Sequence, residues 1–594
     1  MCGLTGFCDF QKKLDAPDLH RAGCRLRHRG PDWQDSTLLE TPEACIGLAH
    51  TRLSILDLSA NGRQPFHSRS GDTVLAYNGE IYNFREIRSE LEGKGHQFFT
   101  GTDTEVIVEA YEAYGIEAVH RFNGMFALAL FDRKKEKLYL LRDRYGVKPL
   151  YYSFSGGRLL FGSELKSLNT YPGFDKSPCR AAVALFFKYG YIRAPYSIFE
   201  NTYKLLPGHY LELDLPSKEL KKIKYYDVQD DYDLPKLVIS EEEAMDTTRS
   251  LLASSFRYRA ISDVPTGIFL SGGYDSSLVA AMMQADSTKR IKTFTIGFHE
   301  QTYNEAVHAK KIAEFIGTDH QEHYCTADEA LEVLCMLPVI CDEPLGDSSA
   351  IPTVLVSRLA RASVTVSLSA DGGDELFAGY ERYAELYALA RREGHTTQHH
   401  YRQAAERAVT YFTQQELAQL LPGIDTGIGL YDDLPEIGAA NDVINTNLLL
   451  DHKTYLVDDI LAKVDRASMS VGLEAREPLL DHRLVAFAAQ LPSDLKYRAG
   501  EKKFLLKRIA HEYIPPALLD RPKAGFTIPL AQWLRTGFSE LLHDHIREES
   551  LRRHGLVDPA AALKLCKDFM EGRHHDHLQV WFLLVFQMWC DEWL

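Results

Sequence analysis

One stretch constrains this chain more than any other: Leu270-Ser271-Gly272-Gly273-Tyr274-Asp275-Ser276-Ser277. The apolar run Thr266-Gly267-Ile268-Phe269 before it reads as a buried strand. Leu278 to Gln284 after it, rich in Ala, Met and Leu, reads as a helix. Strand, glycine turn and helix start, in that order, leave unpaired backbone N–H groups at the positive end of a helix dipole, a ready anion site. Gly272 and Gly273 let the backbone come close to a phosphate, and Ser271, Ser276 and Ser277 add hydroxyl donors. Asp275 would repel phosphate unless a cation lies between them, which points to Mg²⁺. The plain alternative is an ordinary Ser/Gly turn. A Walker A loop is excluded, because no Lys follows the glycines and no G-x-x-x-x-G-K-[ST] occurs.

Around this stretch strands and helices alternate. Ile291 to Phe298 reads as a strand, Asn304 to Ile316 as an amphipathic helix and Ser363 to Leu368 as a strand that ends in Ser369-Ala370-Asp371-Gly372-Gly373-Asp374. Such alternation predicts a parallel sheet with helices on both faces and a ligand site at the strands' carboxyl ends. Beyond Glu381 the chain reads as mostly helical. There Asp458 to Met469 and Glu474 to Asp481 are dense in charge for apolar surroundings, and salt-bridged helices are the plain reading of both.

With 594 residues the chain needs two or more domains. A net charge of −16 argues against nucleic acid or an anionic membrane as a general partner. Ten cysteines without a C-x-x-C pair fit a reducing compartment, no apolar run reaches membrane-spanning length, and the first residues lack signal-peptide character, so a cytoplasmic location is expected. His574, His575 and His577 cluster near the end, but without a second cluster a solvated loop is the simpler reading.

Cys2 is the second informative residue. Freed of Met1, it would carry a thiol and an α-amino group that titrates near pH 8, a nucleophile and its own base in one residue. Other signals lie near it: Arg52-Leu53-Ser54-Ile55-Leu56, a Tyr77-Asn78-Gly79-Glu80 segment read as an Asn-Gly turn, and Asp103 near a helix start. With His28 to Asp32, Phe122 to Ala127, Arg142 to Tyr151 and Gly162 to Lys166, they follow in order over the first 170 residues. This part resembles the class II glutamine amidotransferase domain, an N-terminal-nucleophile hydrolase. The resemblance implies an αββα fold of two stacked antiparallel sheets. It implies that Cys2 attacks the glutamine amide, that Asn78 and Gly79 form the oxyanion hole, and that Arg52 pairs with the α-carboxylate, with Leu53, Ser54, Ile55 and Leu56 around it. Glu80 and Asp103 would meet the amino group.

The glycine turn resembles the SGGxDS loop of ATP pyrophosphatases. Together with TFTIGF, DEPLGDSSAIP, SADGGDELFAGY, DDILAKVDRASM and RPKAGF, the chain resembles glutamine-hydrolysing asparagine synthetases of the B type over nearly its full length. That resemblance implies two domains, 2–215 and 236–594, the second an α/β ATP-pyrophosphatase unit with a helical C-terminal part. Leu270, Ser271, Gly272, Gly273, Asp275, Ser276, Ser277, Ile296, Ser369 and Ala370 would surround ATP, and Asp275 and Asp374 would hold Mg²⁺. Asp371 would support the acyl-adenylate, and Lys523 would neutralise charge at the α-phosphate. Substrates would be glutamine, ATP and aspartate, and the resemblance leaves room for a homodimer. Two departures stand out: Tyr274 replaces a more usual aliphatic residue, and Asp371 replaces a more usual Glu. The second keeps open another carboxylate acceptor, for example a sugar acid.

Overall fold

Every residue of the first strand is buried, and its side chains alternate between two apolar clusters, which sets its place. In β1 (Gly3–Asp9), Leu4 and Cys8 point into one apolar cluster and Phe7 into another. The computed structural model describes residues 2–393, 398–438, 440–520 and 528–594. In it β1 lies inside a six-stranded antiparallel sheet with β2 (Trp33–Glu40), β3 (Cys45–Arg52), β8 (Tyr151–Ser155), β9 (Arg158–Gly162) and β10 (Thr202–Lys204), in the order β10-β8-β9-β1-β3-β2. A second antiparallel sheet runs β12-β11-β7-β6-β5-β4, made of β4 (Phe66–His67), β5 (Thr73–Ile81), β6 (Gly124–Asp132), β7 (Lys137–Arg142), β11 (His209–Asp214) and β12 (Glu219–Lys224).

The sheets share a core of Leu4, Cys8, Ile46, Leu48, Val74, Ala76, Ala127, Ala129 and their neighbours. Helix Ala16–Cys24 covers the first sheet, and helices Phe84–Gly93 and Asp103–Tyr114 cover the second. This is the expected αββα arrangement. The sheet continues to Lys224, past the boundary expected near residue 215, because β12 pairs with β11 along its length.

The third sheet is wholly parallel. Its order is β15-β14-β13-β16-β17, from β13 (Thr266–Phe269), β14 (Lys292–Phe298), β15 (Asp319–Cys325), β16 (Val366–Leu368) and β17 (Glu474–Arg476). Helices Tyr274–Ala285, Ala306–Ile316, Ala327–Cys341 and Ala350–Arg361 connect the first four strands. From β13 the chain steps to one side through β14 and β15, then returns to the other side as β16. The crevice between β13 and β16 is therefore the switch point, where open α/β sheets bind ligands. β17 corrects an expectation: Glu474 to Arg476 was read as part of a salt-bridged helix pair but is the fifth strand, joined to β16 at Leu368↔Arg476.

Helices dominate from Glu381 on, and the last, His577–Trp593, is buried along most of its length. Its Phe582 and Phe586 pack on Phe186 of helix Arg180–Tyr189, with ring centroids 5.7 and 5.9 Å apart, fixing it to the first unit. His577 opens this helix, and no group of three metal-ligating side chains occurs among the described residues.

Candidate active site

The parity of β5 explains the first site. Val74, Ala76 and Asn78 share the face toward the other sheet, while Tyr77 faces the covering helix. Asn78 thereby meets Cys2: the Cys2 backbone nitrogen donates to Asn78 Oδ1 at 3.1 Å. Asn78 Nδ2 is buried without a hydrogen-bond partner among the described residues, where buried amide donors are normally paired. The segment expected as an Asn-Gly turn is instead the interior of β5, and Gly79 takes its unusual φ of +157° within the strand. A Cβ there would collide with the Met125 carbonyl oxygen, so only glycine fits.

Cys2 is buried, which raises its thiol pKa, and its Sγ lies 3.9 Å from the Leu53 carbonyl. Arg52 closes β3, and its guanidinium donates to the carbonyls of Ser59 (2.8 Å), Leu56 (3.2 Å) and Asp57 (2.6 Å), which stiffen the loop holding buried Leu53, Ile55 and Leu56. The Ser54 backbone nitrogen is tied to Asp32 at 2.7 Å. Tyr77 donates to Asp103 at 2.9 Å, as does the Ile81 backbone at 2.8 Å. Burial pushes Asp103 up to about 6. Burial and the neighbouring Asp103 hold Glu80 well above the carboxylate range, against the pull of Arg476. The two act as one titrating pair.

The second site lies at the switch point. The Leu270 backbone nitrogen donates to Phe294 of β14 at 2.9 Å, and Ile296 follows two residues on, buried. Gly272 has φ +77°, and its absent Cβ makes room for the Ala309 backbone. Ser271 and Ser276 hydroxyls are 3.0 Å apart, and Gly273 caps helix Tyr274–Ala285 without a side-chain bond. The helix start thus keeps backbone donors for an anion. Ser277 is fully buried, its hydroxyl without a partner among the described residues. Tyr274 turns away from the loop, with its hydroxyl 3.1 Å from His511 and bonded to Asp520.

From β16, Ser369 and Ala370 lead to Asp371, whose carboxylate accepts from the Ser369 hydroxyl. Burial raises the Asp371 pKa, opposed chiefly by Lys463. Lys463 donates to Asp347 at 2.8 Å and Ser349 at 2.9 Å. Burial would lower this ammonium, but Asp347, Asp371 and Asp459 together raise it. Asp275 and Asp374 converge on Lys503, whose Nζ is 2.6 Å from Asp374 and paired with Asp275. These carboxylates outweigh burial and hold Lys503 above the usual lysine value. Two carboxylates around one cation are hard oxygen donors of the kind Mg²⁺ takes.

Sequence reasoning missed Lys503, which sits just past a glycine turn in Gly500-Glu501-Lys502-Lys503 and reads as solvated. Lys523, expected here, lies outside the described residues. Lys463 stood within the charge-dense 458–469 stretch, and that density amid apolar neighbours was its signal. The helix carrying Lys463 follows a π-helical turn, Leu456–Leu461, a feature frequent at functional sites.

The two sites share a buried polar seam. Arg29, fully buried, donates through Nε to the Cys2 carbonyl at 3.0 Å, through Nη1 to Glu164 at 2.6 Å and through both Nη atoms to Asp465 at 2.7 and 2.9 Å. Beside its partner Asp465 lies a small cavity. Leu150, Tyr151 and Lys204 line it from the first unit, Val457, Leu461 and Ala462 from the second.

Comparison with known proteins agrees with this division. The family described as asparagine synthase matches residues 247–591, and that described as glutamine amidotransferase domain matches residues 1–226. The chain belongs to the asparagine synthase family. A putative glutamine-hydrolysing asparagine synthetase 2 of Methanocaldococcus jannaschii is 37% identical over 406 residues, covering 66% of this chain and 77% of that protein. Asparagine synthetase 1 of Bacillus subtilis, also named glutamine-hydrolysing, is 29% identical over 631 residues, covering 99% and 96%. A protein of Penicillium rubens named amidase chyE is 27% identical and covers 94% of this chain and 93% of its own. This member of the asparagine synthase family is an ATP-dependent amidotransferase that hydrolyses glutamine. No helix among the described residues is long and apolar enough to cross a membrane.

Proposed function

We propose that the chain makes asparagine from aspartate, with glutamine as nitrogen donor and ATP as activator, the two half-reactions joined across the Arg29 seam. The observation that carries the acceptor reading is the enclosed group around Lys463. One buried ammonium, with Asp347, Asp371 and Asp459 acting on it, offers both signs of charge in a small space. A small zwitterionic acid such as aspartate needs both.

In the first half-reaction Cys2, freed of Met1, uses its α-amino group to take the thiol proton. The thiolate adds to the glutamine side-chain carbonyl. The oxygen that gains charge is met by Asn78 Nδ2, the amide left unpaired when Oδ1 holds the Cys2 nitrogen, and by the Gly79 backbone. Glu80 and Asp103 hold the substrate's amino group, and Arg52 its carboxylate. Ammonia then crosses from the first unit to the second beside the Arg29 seam.

In the second, the 270–273 backbone and the Tyr274 helix start hold the ATP phosphates. Asp275 and Asp374 would hold Mg²⁺, which neutralises phosphate charge when bound. The β-carboxylate of aspartate attacks the α-phosphate and pyrophosphate leaves. Lys503 takes the charge-neutralising role that resemblance gave to Lys523, and Asp371 orients the adenylate. Ammonia then displaces AMP.

The test feeds amide-¹⁵N glutamine, ATP and isotope-labelled aspartate, and follows asparagine by mass spectrometry. Cys2→Ala should end glutamine use yet leave amidation with added ammonium. Absence of labelled asparagine from a wild type with intact glutaminase would refute aspartate as the acceptor.

A further inference from the structure

β17 lies between the two sites, and its last residues serve different sides. Arg476, paired with Glu474 at 2.6 Å, reaches Glu80 in the glutamine site at 3.5 Å. The next residue, Glu477, emerges at the carboxyl end of the sheet. There the Ser369 backbone nitrogen donates to the Arg476 carbonyl at 2.9 Å, so Glu477 and Asp371 leave neighbouring strand ends. Glu477 is 4% exposed, and its Oε2 has no hydrogen-bond partner among the described residues. A buried carboxylate oxygen left unpaired is costly and calls for a reason.

The charged groups acting on Glu477 come from every side. Lys148 belongs to the glutaminase unit, Asp371 follows β16, Asp465 lies on helix Ala462–Met469 and Arg259 ends helix Glu241–Arg259. Lys148 is committed elsewhere, 3.5 Å from the Ala475 carbonyl and 3.8 Å from Asp465. Glu477 thus lies buried between the strand end that carries Asp371 and the glutaminase unit that carries Lys148.

That position meets a need of the chemistry. Ammonia adding to the acyl-adenylate forms a C–N bond and moves the carbonyl electron pair onto oxygen. The nitrogen then carries three hydrogens and a positive charge, and one proton must leave before an amide can form. Asp371 is poorly placed to take it, because its carboxylate already accepts from Ser369 and is drawn to Lys463.

We propose that the Glu477 carboxylate accepts this proton. The oxyanion then re-forms the carbonyl, the bond to the AMP phosphate breaks and AMP leaves with the electron pair. The proton remains on Glu477 until the site opens to water. Burial, with Asp371 adding to it, pushes Glu477 up to about 8, close to working pH, where a proton acceptor is most effective. The inference rests on the acyl-adenylate reading above.

The experiment loads enzyme with ATP and aspartate, mixes it with ¹⁵N-ammonium and quenches single turnovers, for wild type, Glu477→Gln and Glu477→Asp. Aspartate-dependent ATP–pyrophosphate exchange and glutaminase activity are measured alongside. Glu477→Gln should leave both within about twofold and slow amide formation from the adenylate by roughly 10²-fold or more. Per free ammonia, the wild-type rate should rise with pH through about 8, because the ionised carboxylate is the active form. Glu477→Gln should flatten that rise, and Glu477→Asp should restore part of the rate and the slope. Wild-type amidation and pH profile in Glu477→Gln would overturn the proposal, as would parallel loss of exchange or glutaminase, which marks a structural role. A wild type without aspartate-dependent exchange refutes the acceptor reading instead.

Discussion

Lys503 is the residue on which geometry and sequence resemblance part, and Lys503→Met measures the difference. Its ammonium is 2.6 Å from Asp374 and paired with Asp275, at the mouth of the 270–273 turn. A phosphoryl group entering between that turn and the two carboxylates comes within contact of Nζ. Two unit charges about 4 Å apart at an effective dielectric of about 20 interact by about 4 kcal/mol. If that attraction is realised as charge develops at the α-phosphate, its loss slows adenylation by roughly 10³-fold. Aspartate-dependent ATP–pyrophosphate exchange isolates this step, and glutaminase activity, which needs only the Cys2 site, reports that the protein is folded. Lys503→Met is expected to lose exchange by about three decades with glutaminase intact. Lys503→Arg keeps the charge with a different shape and should fall between. Exchange within tenfold of wild type in Lys503→Met would refute the reasoning, and a 10³-fold loss in Lys523→Met instead would return the role to Lys523.

Two further outcomes follow from the sites. The Glu80–Asp103 pair is raised by burial, with Asp103 near 6, and it binds an ammonium only when ionised; the KM for glutamine should therefore rise as pH falls through about 6, and in Asp103→Asn it should be high and nearly independent of pH. Asp371→Glu restores one methylene while keeping the charge, so labelled asparagine formation should rise or stay within about tenfold, since a shifted hydrogen bond to a charged group is typically worth about 1–3 kcal/mol.

Much of this architecture was legible in the chain. Pattern and glycine placement located β13, the 270–273 turn and its helix, because local propensity and tertiary role agree there. The αββα unit came from resemblance, since its short strands carry weak individual signals. Local reasoning failed where tertiary context overrode it. Asn78-Gly79 has turn chemistry, yet it lies within β5 because the partner strand β6 pairs through Gly79↔Phe126 and leaves no room for a Cβ. Glu474-Ala475-Arg476 has no strand signature, because two charges flank a single alanine. It becomes a strand because buried partners, Glu474 and the Arg259 and Ile261 carbonyls for Arg476 and β16 for the backbone, satisfy what solvent otherwise would. Lys503 was illegible for a related reason. Only the fold brings it to two carboxylates more than a hundred residues away in sequence.

The buried charges between the domains bear on how the two reactions stay in step. Arg29 joins the Cys2 carbonyl to Asp465, and Asp465 lies two residues from Lys463 on one helix. Arg476 joins Glu80 to the strand that carries Glu477. Each link pairs a cation with a buried carboxylate, and breaking such a pair by losing one partner typically costs about 3–5 kcal/mol. A seam of that kind contributes little net stability compared with an apolar interface of the same size, so stability alone does not account for it. It does fix orientation: Arg29 donates through fixed fork geometry to three groups at once, and a small rotation of one domain would break several bonds together. The seam therefore holds the two units in one mutual orientation at these residues. Arg476, which contacts Glu80, and Glu477, whose strand end adjoins that of Asp371, are neighbours on one backbone. In the proposed mechanism, the cation that pairs with Glu80 of the glutamine site and the carboxylate that receives the ammonia proton are thus adjacent residues.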